Sequence, residues 1–387
     1  MKILIVTNAY KPIINSASML MGDLAHCFRT KGHDVYVLTK YPKGFDEGKK
    51  IQEFTRENGI NVIRIKVPPV NMVNYIRRGI NTIIYPWILY HKSKKFLKHI
   101  DFDVMILYAP PIQLAKTIKL YKQHNNAKTV LILRDIFPQN AIDLGILKNK
   151  LLIKYFEDVE YNAYQVFDLI ATQLKENKEH LIKEKGVEAS KVDVIYNWID
   201  IQSFDEEVKD CIDYKSKYRL EDKTVCLFGG TIGPAQGLDF LLEVANQMVN
   251  VDKLCFLIIG DGKEKIRLQE KAKSMNLDNV IFKDFIPNNE FNMLVKSCDI
   301  GLINLSDQNK TSIIPGKILS FMAASIPIMG AANKESQEFK SIINDNECGY
   351  IVNTGDIQTY IKFLTKLARD EELRNKMGRN GRKYLEN

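Results

Sequence analysis

The feature that most constrains this chain is a repeated unit: a short apolar run rich in β-branched residues, a polar or glycine-bearing loop, then a stretch with helical periodicity. The first copy is KILIVT at residues 2–7, a helical pattern near 18–31, and a second run at 34–39. Further runs follow at 61–65, 104–108, 129–133, 169–172 and 192–196, and a second series at 225–228, 254–259, 280–282, 300–305, 327–330 and 350–352. Strands this uniformly apolar are buried on both faces, so the pattern predicts parallel sheets covered by helices. The chain is therefore expected to be α/β, with two doubly wound domains, and 387 residues suit two domains of about 100–200 residues each. The polar, acidic stretch from Asp200 to Asp213 reads as the linker. Its position places the boundary at Ser203, giving domains 1–202 and 203–370. The charged helix 371–387 is left to cap the second domain or bridge back to the first.

Several classes drop out. The six cysteines lie far apart without paired spacing or histidine clusters, which argues for reduced core residues and against disulfides or a metal site. The opening MKILIVTNAY lacks a signal peptide's longer apolar core and cleavage site, so the chain is expected to stay inside the cell. No run reaches the ~20 apolar residues that span a bilayer, which leaves peripheral membrane contact. The net charge is +8, and the basicity belongs to residues 1–200, which hold 30 Lys and Arg against 20 Asp and Glu. That asymmetry points to an anionic partner for the first half.

In doubly wound sheets ligands gather at the carboxyl ends of the strands, and two such sheets facing each other make a deep cleft. The loops after strands are the places to look. FGGTIGPAQGLD, from Phe228, brings Gly229, Gly230, Thr231, Gly233 and Gln236 to a strand-to-helix turn, where backbone N–H groups and the positive end of a helix favour a phosphate. IIGDG adds Gly260, Asp261 and Gly262 after the next strand. In TSIIPGKILS, Pro315 and Gly316 precede a helix with Lys317 in its first turn; a cation at that positive end suits an intervening anion such as a diphosphate. Each also reads as a plain connection or a solvated lysine. In the first half, LILRDIFPQN delivers Arg134 and Asp135 to a strand's carboxyl end, placed for hydrogen bonding or acid–base work on a hydroxyl, or merely to pin the loop. The loop after the first strand supplies Lys11, Asn15 and Ser16 near a helix start, suited to gripping an acceptor or phosphate. From Arg64 to Ile100 there are eight Lys and Arg and no Asp or Glu, interleaved with aromatic and aliphatic residues. That composition suits an anionic membrane surface, or an ordinary helix with a solvated basic face. No nucleic-acid motif accompanies the charge. Asp101-Phe102-Asp103 looks like a metal-binding pair but precedes its strand, on the wrong side of the sheet.

Taken in order, KILIVTNAYKP, GHDVYVLT, VIYNWID, GGTIGPAQGLD, IIGDG, FKDFIPNNEF, PGKILSFMAASIPIM and ECGYIVNTGD resemble the retaining glycosyltransferases of family four, with the GT-B fold of two Rossmann-like domains facing a deep cleft. The RDIFPQNAIDLG and IGPAQGLD segments are most similar to a bacterial branch that adds N-acetyl-fucosamine or other amino sugars in capsule and O-antigen synthesis. The resemblance implies a metal-independent enzyme without cofactor, which moves a hexosyl unit, an N-acetylated amino or deoxy sugar, from a UDP-type donor to a lipid-linked or glycan acceptor. It further implies work at the inner face of the plasma membrane. By position, Gly230, Thr231, Gly233 and Lys317 meet the donor diphosphate, Ile286 and Pro287 read the base, and Asp135 stands where a catalytic or acceptor-orienting group is presented. Where the family carries an Arg and a Lys in the glycine loop this chain has Thr231 and Gln236, so neutralisation falls on Lys317 and backbone dipoles. Where it carries two glutamates eight positions apart this chain has Ser312 and Ser320, the latter left to bond a ribose hydroxyl. These departures keep open a non-catalytic partner subunit of the same fold, and a sugar-nucleotide 2-epimerase is the rival within enzymes.

Overall fold

The computed structural model describes residues 1–13, 15–42, 53–69, 75–206, 213–286, 288–308 and 311–387. It divides into two compact units, Met1–Tyr196 and Asn197–Asn387, each with an apolar core of its own.

The first unit holds strands β1 (Lys2–Val6), β2 (Asp34–Lys40), β3 (Phe54–Glu57), β4 (Ile60–Ile65), β5 (Val104–Ala109), β6 (Lys128–Leu133), β7 (Leu169–Thr172) and β8 (Val192–Val194). They form one sheet in the order β3-β4-β2-β1-β5-β6-β7-β8. All its neighbouring pairs are parallel except β3 with β4. Helices α1 (Ser16–Thr30), α2 (Tyr75–Leu97), α3 (Ala115–Lys122), α4 (Gln139–Asp143), α5 (Lys150–Tyr164) and α6 (Lys175–Lys183) fill the connections. The β3 edge is absent from the sequence expectation because its FTRE is half exposed and carries no apolar run. Its signal is Asn58-Gly59, both at positive φ (48° and 80°), the chemistry of a tight hairpin turn. Arg64 closes this hairpin: 2% exposed, it donates to Glu57 Oε1 at 2.6 Å and to the Lys11 carbonyl at 2.6 Å.

The second unit holds β9 (Thr224–Gly229), β10 (Leu254–Ile259), β11 (Val280–Lys283), β12 (Ile300–Asn304), β13 (Ile328–Ala332) and β14 (Gly349–Asn353), ordered β11-β10-β9-β12-β13-β14 and parallel throughout. Its helices are α7 (Ile201–Glu206), α8 (Tyr214–Tyr218), α9 (Leu238–Gln247), α10 (Lys265–Ser274), α11 (Asn288–Lys296), α12 (Lys317–Ala323), α13 (Gln337–Asn344), α14 (Ile357–Arg369) and α15 (Glu371–Glu386).

A boundary at Ser203 would cut through α7. That helix is tied to the second unit by the Arg382–Asp205 ion pair at 2.8 Å and by Lys296 Nζ on the Phe204 carbonyl at 2.7 Å, so the structural division falls six residues earlier. Helix α15 likewise sits within this unit: Gly378 packs on the Ser325 carbonyl, Gly381 on Met322, and Arg382 donates to the Ala323 carbonyl. Of the cysteines, Cys226, Cys255, Cys298 and Cys348 are buried, whereas Cys27 is exposed and Cys211 lies outside the described residues.

Candidate functional site

Strand order reverses between β9 and β12 in the second unit, so the segments leaving these two strands diverge and open a crevice at the carboxyl ends. Gly229 and Gly230 leave β9 there, and the segment after β12 leads to Lys317.

Helix α12 is seated by its own sequence. The Phe321 ring lies flat on Gly301 of β12, where any Cβ would collide with it. One turn earlier on the same helix, Lys317 is thereby laid over β9, with its Nζ 3.7 Å from the centre of the Phe228 ring. Its Nζ donates to Gln236 Oε1 at 3.2 Å. Among the described residues no carboxylate pairs with it. The residue is half buried, and desolvation pulls the ammonium's pKa down to about 7. An anion placed beside it would restore the charge.

The turns after β9 and β10 interlock main chain to main chain. Gly230 N–H donates to the Ile259 carbonyl at 2.9 Å, Ile232 N–H to the Asp261 carbonyl at 2.8 Å, and Gly260 N–H to the Lys283 carbonyl at 3.3 Å. A Cβ on Gly260 would strike the Gly230 carbonyl, and one on Gly262 the Ile232 carbonyl. Gly230 was expected to offer its N–H to a phosphate, and this bond to Ile259 removes it; what Gly230 provides is open space 3.8 Å from Lys317 Nζ. The N–H groups of Thr231 and Gly233 have no partner among the described residues, and Thr231 is exposed. Both lie in the turn whose Gly230 and Gln236 border Lys317.

Elsewhere, Asp261 Oδ1 accepts from the Gly262 N–H at 2.8 Å, Pro315 and Gly316 begin the turn into α12, and Ser320 lies one turn beyond Lys317, half buried. Ile286 is half buried; Pro287 lies outside the described residues. Ser312 is buried and directs its hydroxyl to the Glu335 carbonyl at 3.5 Å.

The first unit's sheet reverses between β1 and β5. Next to β5, β6 is followed directly by Arg134, 5% exposed, and Asp135. Burial raises the Asp135 carboxyl above its ordinary range, with Arg134 opposing, and burial lowers the Arg134 guanidinium. Tyr108, at the end of β5, bonds Arg134 and is pushed up to about 12 by burial. Gln173, just beyond β7, donates to the Arg134 carbonyl at 2.8 Å and keeps a buried Oε1 without a partner among the described residues. Tyr108, Gln173 and Phe228 were not anticipated as site residues: each lies at the end of an apolar run, and only the pairing of neighbouring strands within its own unit brings Tyr108 and Gln173 to Arg134 and Phe228 under Lys317. Asn15, expected to grip a ligand, instead caps α1 through Ser18 N–H at 2.9 Å, with Ser16 exposed beside it. Lys11 is exposed, its stem lying against α1 at Gly22. Asp103, of the set-aside acidic pair, takes the Lys2 N–H at 2.7 Å at the opposite edge from these groups.

Two sequence-family models match the chain in tandem: "Glycosyltransferase Family 4" over residues 17–203 and "Glycosyl transferases group 1" over 212–384. The colanic acid biosynthesis glycosyl transferase WcaI of Escherichia coli (strain K12) is 24% identical over 81% of its length and 84% of this chain. The N-acetylgalactosamine-N,N'-diacetylbacillosaminyl-diphospho-undecaprenol 4-alpha-N-acetylgalactosaminyltransferase of Campylobacter jejuni is 20% identical over 72% of its length and 73% of this chain. Among solved structures, Anabaena HepE in complex with UDP superposes with a TM-score of 0.70 at 16% identity, covering all of this chain and 94% of HepE.

Proposed function

The chain belongs to the family 4 glycosyltransferases with the GT-B fold, and from that premise we propose that it moves an N-acetylated amino or deoxy sugar from a UDP-linked donor to a lipid-linked acceptor, with retention, in cell-surface polysaccharide synthesis. The observation that carries the donor side is Lys317: an ammonium over the Phe228 ring, desolvated to a pKa of about 7, unpaired with any described carboxylate, and bordered by the glycine turn that holds Gly230 and Gln236 and the unused N–H groups of Thr231 and Gly233. These groups hold the diphosphate. The bond from the anomeric carbon to the diphosphate oxygen breaks, and charge develops on that oxygen, where preorganised donors help most. The acceptor oxygen bonds to the same carbon on the same face and its proton passes to the departing phosphate, releasing UDP. Arg134 and Asp135, braced by Tyr108 and Gln173, orient the acceptor hydroxyl. Neither a metal nor a cofactor is needed in this scheme.

Colanic acid synthesis in the WcaI relative and a diphospho-undecaprenol acceptor in the Campylobacter relative support the acceptor assignment. No described helix is long and apolar enough to cross a membrane, so a lipid acceptor would be met from the surface, at the inner face of the plasma membrane. Part of the segment from Arg64 to Ile100 serves this role through the exposed stripe of Ile80, Ile83 and Trp87 on α2. Arg64 itself is spent on Glu57, and Lys95 pairs with Glu53 at 2.5 Å. Arg77 and Arg78 lie where no side chain is described.

Replacing Lys317 with Ala is expected to cut turnover by about a hundredfold or more. Near-normal turnover in a coupled UDP-release assay with a diphospho-lipid acceptor would refute the scheme. Ser312 and Ser320 favour one second reading, a donor-binding partner subunit without transfer; purified protein that binds UDP-sugars yet neither transfers nor hydrolyses them would establish it.

A further inference from the structure

A second exposed apolar surface lies outside the segment assigned above. Residues 144–156, LGILKNKLLIKYF, contain three lysines and no acidic residue. Ile146 is 68% exposed, Leu151 81%, Leu152 50% and Tyr155 39%. Their projection is built in: Asn149 Oδ1 caps α5 by accepting from Leu151 N–H at 3.0 Å and Leu152 N–H at 3.1 Å, which fixes both leucines in a first turn turned to solvent. Lys148, Lys150 and Lys154 are exposed, and none has a carboxylate partner among the described residues. Three unpaired cations at the positive end of a helix repel that end unless an anionic surface faces them. The lysines of α2 are more fully committed: Lys95 to Glu53, Lys92 to the Lys66 carbonyl. Helices α2 and α5, which carry the two apolar stripes, both pack against the short turn Ile112–Leu114 that follows β5.

We propose that the loop and first turn of α5, residues 146–155, form a lipid-inserting knuckle that docks the first unit on an anionic bilayer. Leu151, Leu152 and Ile146 enter the acyl boundary, Tyr155 lies at the headgroup level, and Lys148, Lys150 and Lys154 engage lipid phosphates. The α2 stripe is the second foothold, and two footholds hold where one apolar contact binds marginally. This inference rests on the lipid-acceptor reading above.

The test is flotation of the full chain on vesicles of phosphatidylcholine with and without phosphatidylglycerol, beside transfer to a short-chain, water-soluble acceptor. Wild type is expected to float with the anionic vesicles only. Leu151→Ser with Leu152→Ser should lower the partition coefficient about tenfold or more, and each of Lys148→Gln, Lys150→Gln and Lys154→Gln about fivefold. Since these side chains are exposed, thermal midpoints and transfer to the soluble acceptor should be unchanged. Wild-type flotation that survives the double leucine change overturns the knuckle while leaving the lipid-acceptor reading in place. Absence of wild-type flotation overturns both. Equal flotation on neutral vesicles overturns the role given to the lysines.

Discussion

At the scale of the residue, the proposed chemistry rests on Lys317. Its pKa falls from 10.5 to about 7 because burial disfavours the charged form. The sign of the linkage follows: the unfolded chain binds more protons between about pH 7 and 10.5, so this group's burden on stability is full below that window and relieved as pH rises through it. A diphosphate bound beside the ammonium would reverse the shift. UDP binding is therefore expected to take up close to one proton near pH 8 and almost none below about pH 6, with affinity falling as pH rises above 7. Calorimetry in buffers of different ionisation heat reads this directly, and pH-independent uptake would show that Lys317 is not the group recharged. The lysine was legible in the sequence as a cation at a helix start. The Phe228 ring under it was not, because a strand's apolar run does not say which of its members ends beneath a neighbouring helix. Nor was the loss of the Gly230 N–H, which depends on Ile259 in the adjacent strand.

At the scale of the element, the glycines divide by what surrounds them. Gly301 lies under the Phe321 ring, so Gly301→Ala should lift α12, cost about 1–3 kcal/mol of stability and weaken UDP binding through displacement of Lys317. Gly233 is different: an added Cβ would meet only Thr231 Cγ2, at 3.8 Å, on an ordinary backbone. Gly233→Ala should leave the thermal midpoint alone but lower UDP affinity, since the obstruction arises only when phosphate approaches. Equal UDP affinity in the Gly233→Ala protein would remove that turn from the donor site. Strands were readable in the sequence because buried parallel strands are continuous runs of Val, Ile and Leu. The exception, β3, pairs at an edge, where polar residues are tolerated. Helix α7 was hidden inside the expected linker for a related reason: Asp205 and Glu206 make it look solvated, whereas Phe204 is 2% exposed and Asp205 is held by Arg382.

At the scale of the whole molecule, the two units differ in composition. The surplus of positive charge belongs to the first 200 residues, with the exposed stripes of α2 and the α5 knuckle; the glycine turns and Lys317 belong to the second unit. Each unit has its own core, and α15 closes the second on itself. Residues 197–387 produced alone are therefore expected to unfold cooperatively and to bind UDP with an affinity close to that of the intact chain, but to show no affinity for anionic vesicles. A fragment that folds yet fails to bind UDP in calorimetry would mean that the donor site draws essential groups from the first unit.

The interlock of the turns after β9 and β10 bears on how such a chain can drift. Its bonds join peptide groups, so the surface on which a pyrophosphate would rest is drawn by the main chain and guarded by two glycines that tolerate no Cβ. The side chains of Thr231 and Gln236 take no part in that interlock, so replacing them would leave the surface as it is. Ancestry of this kind is stored in where the backbone goes, and it outlasts most of the letters that once spelled it.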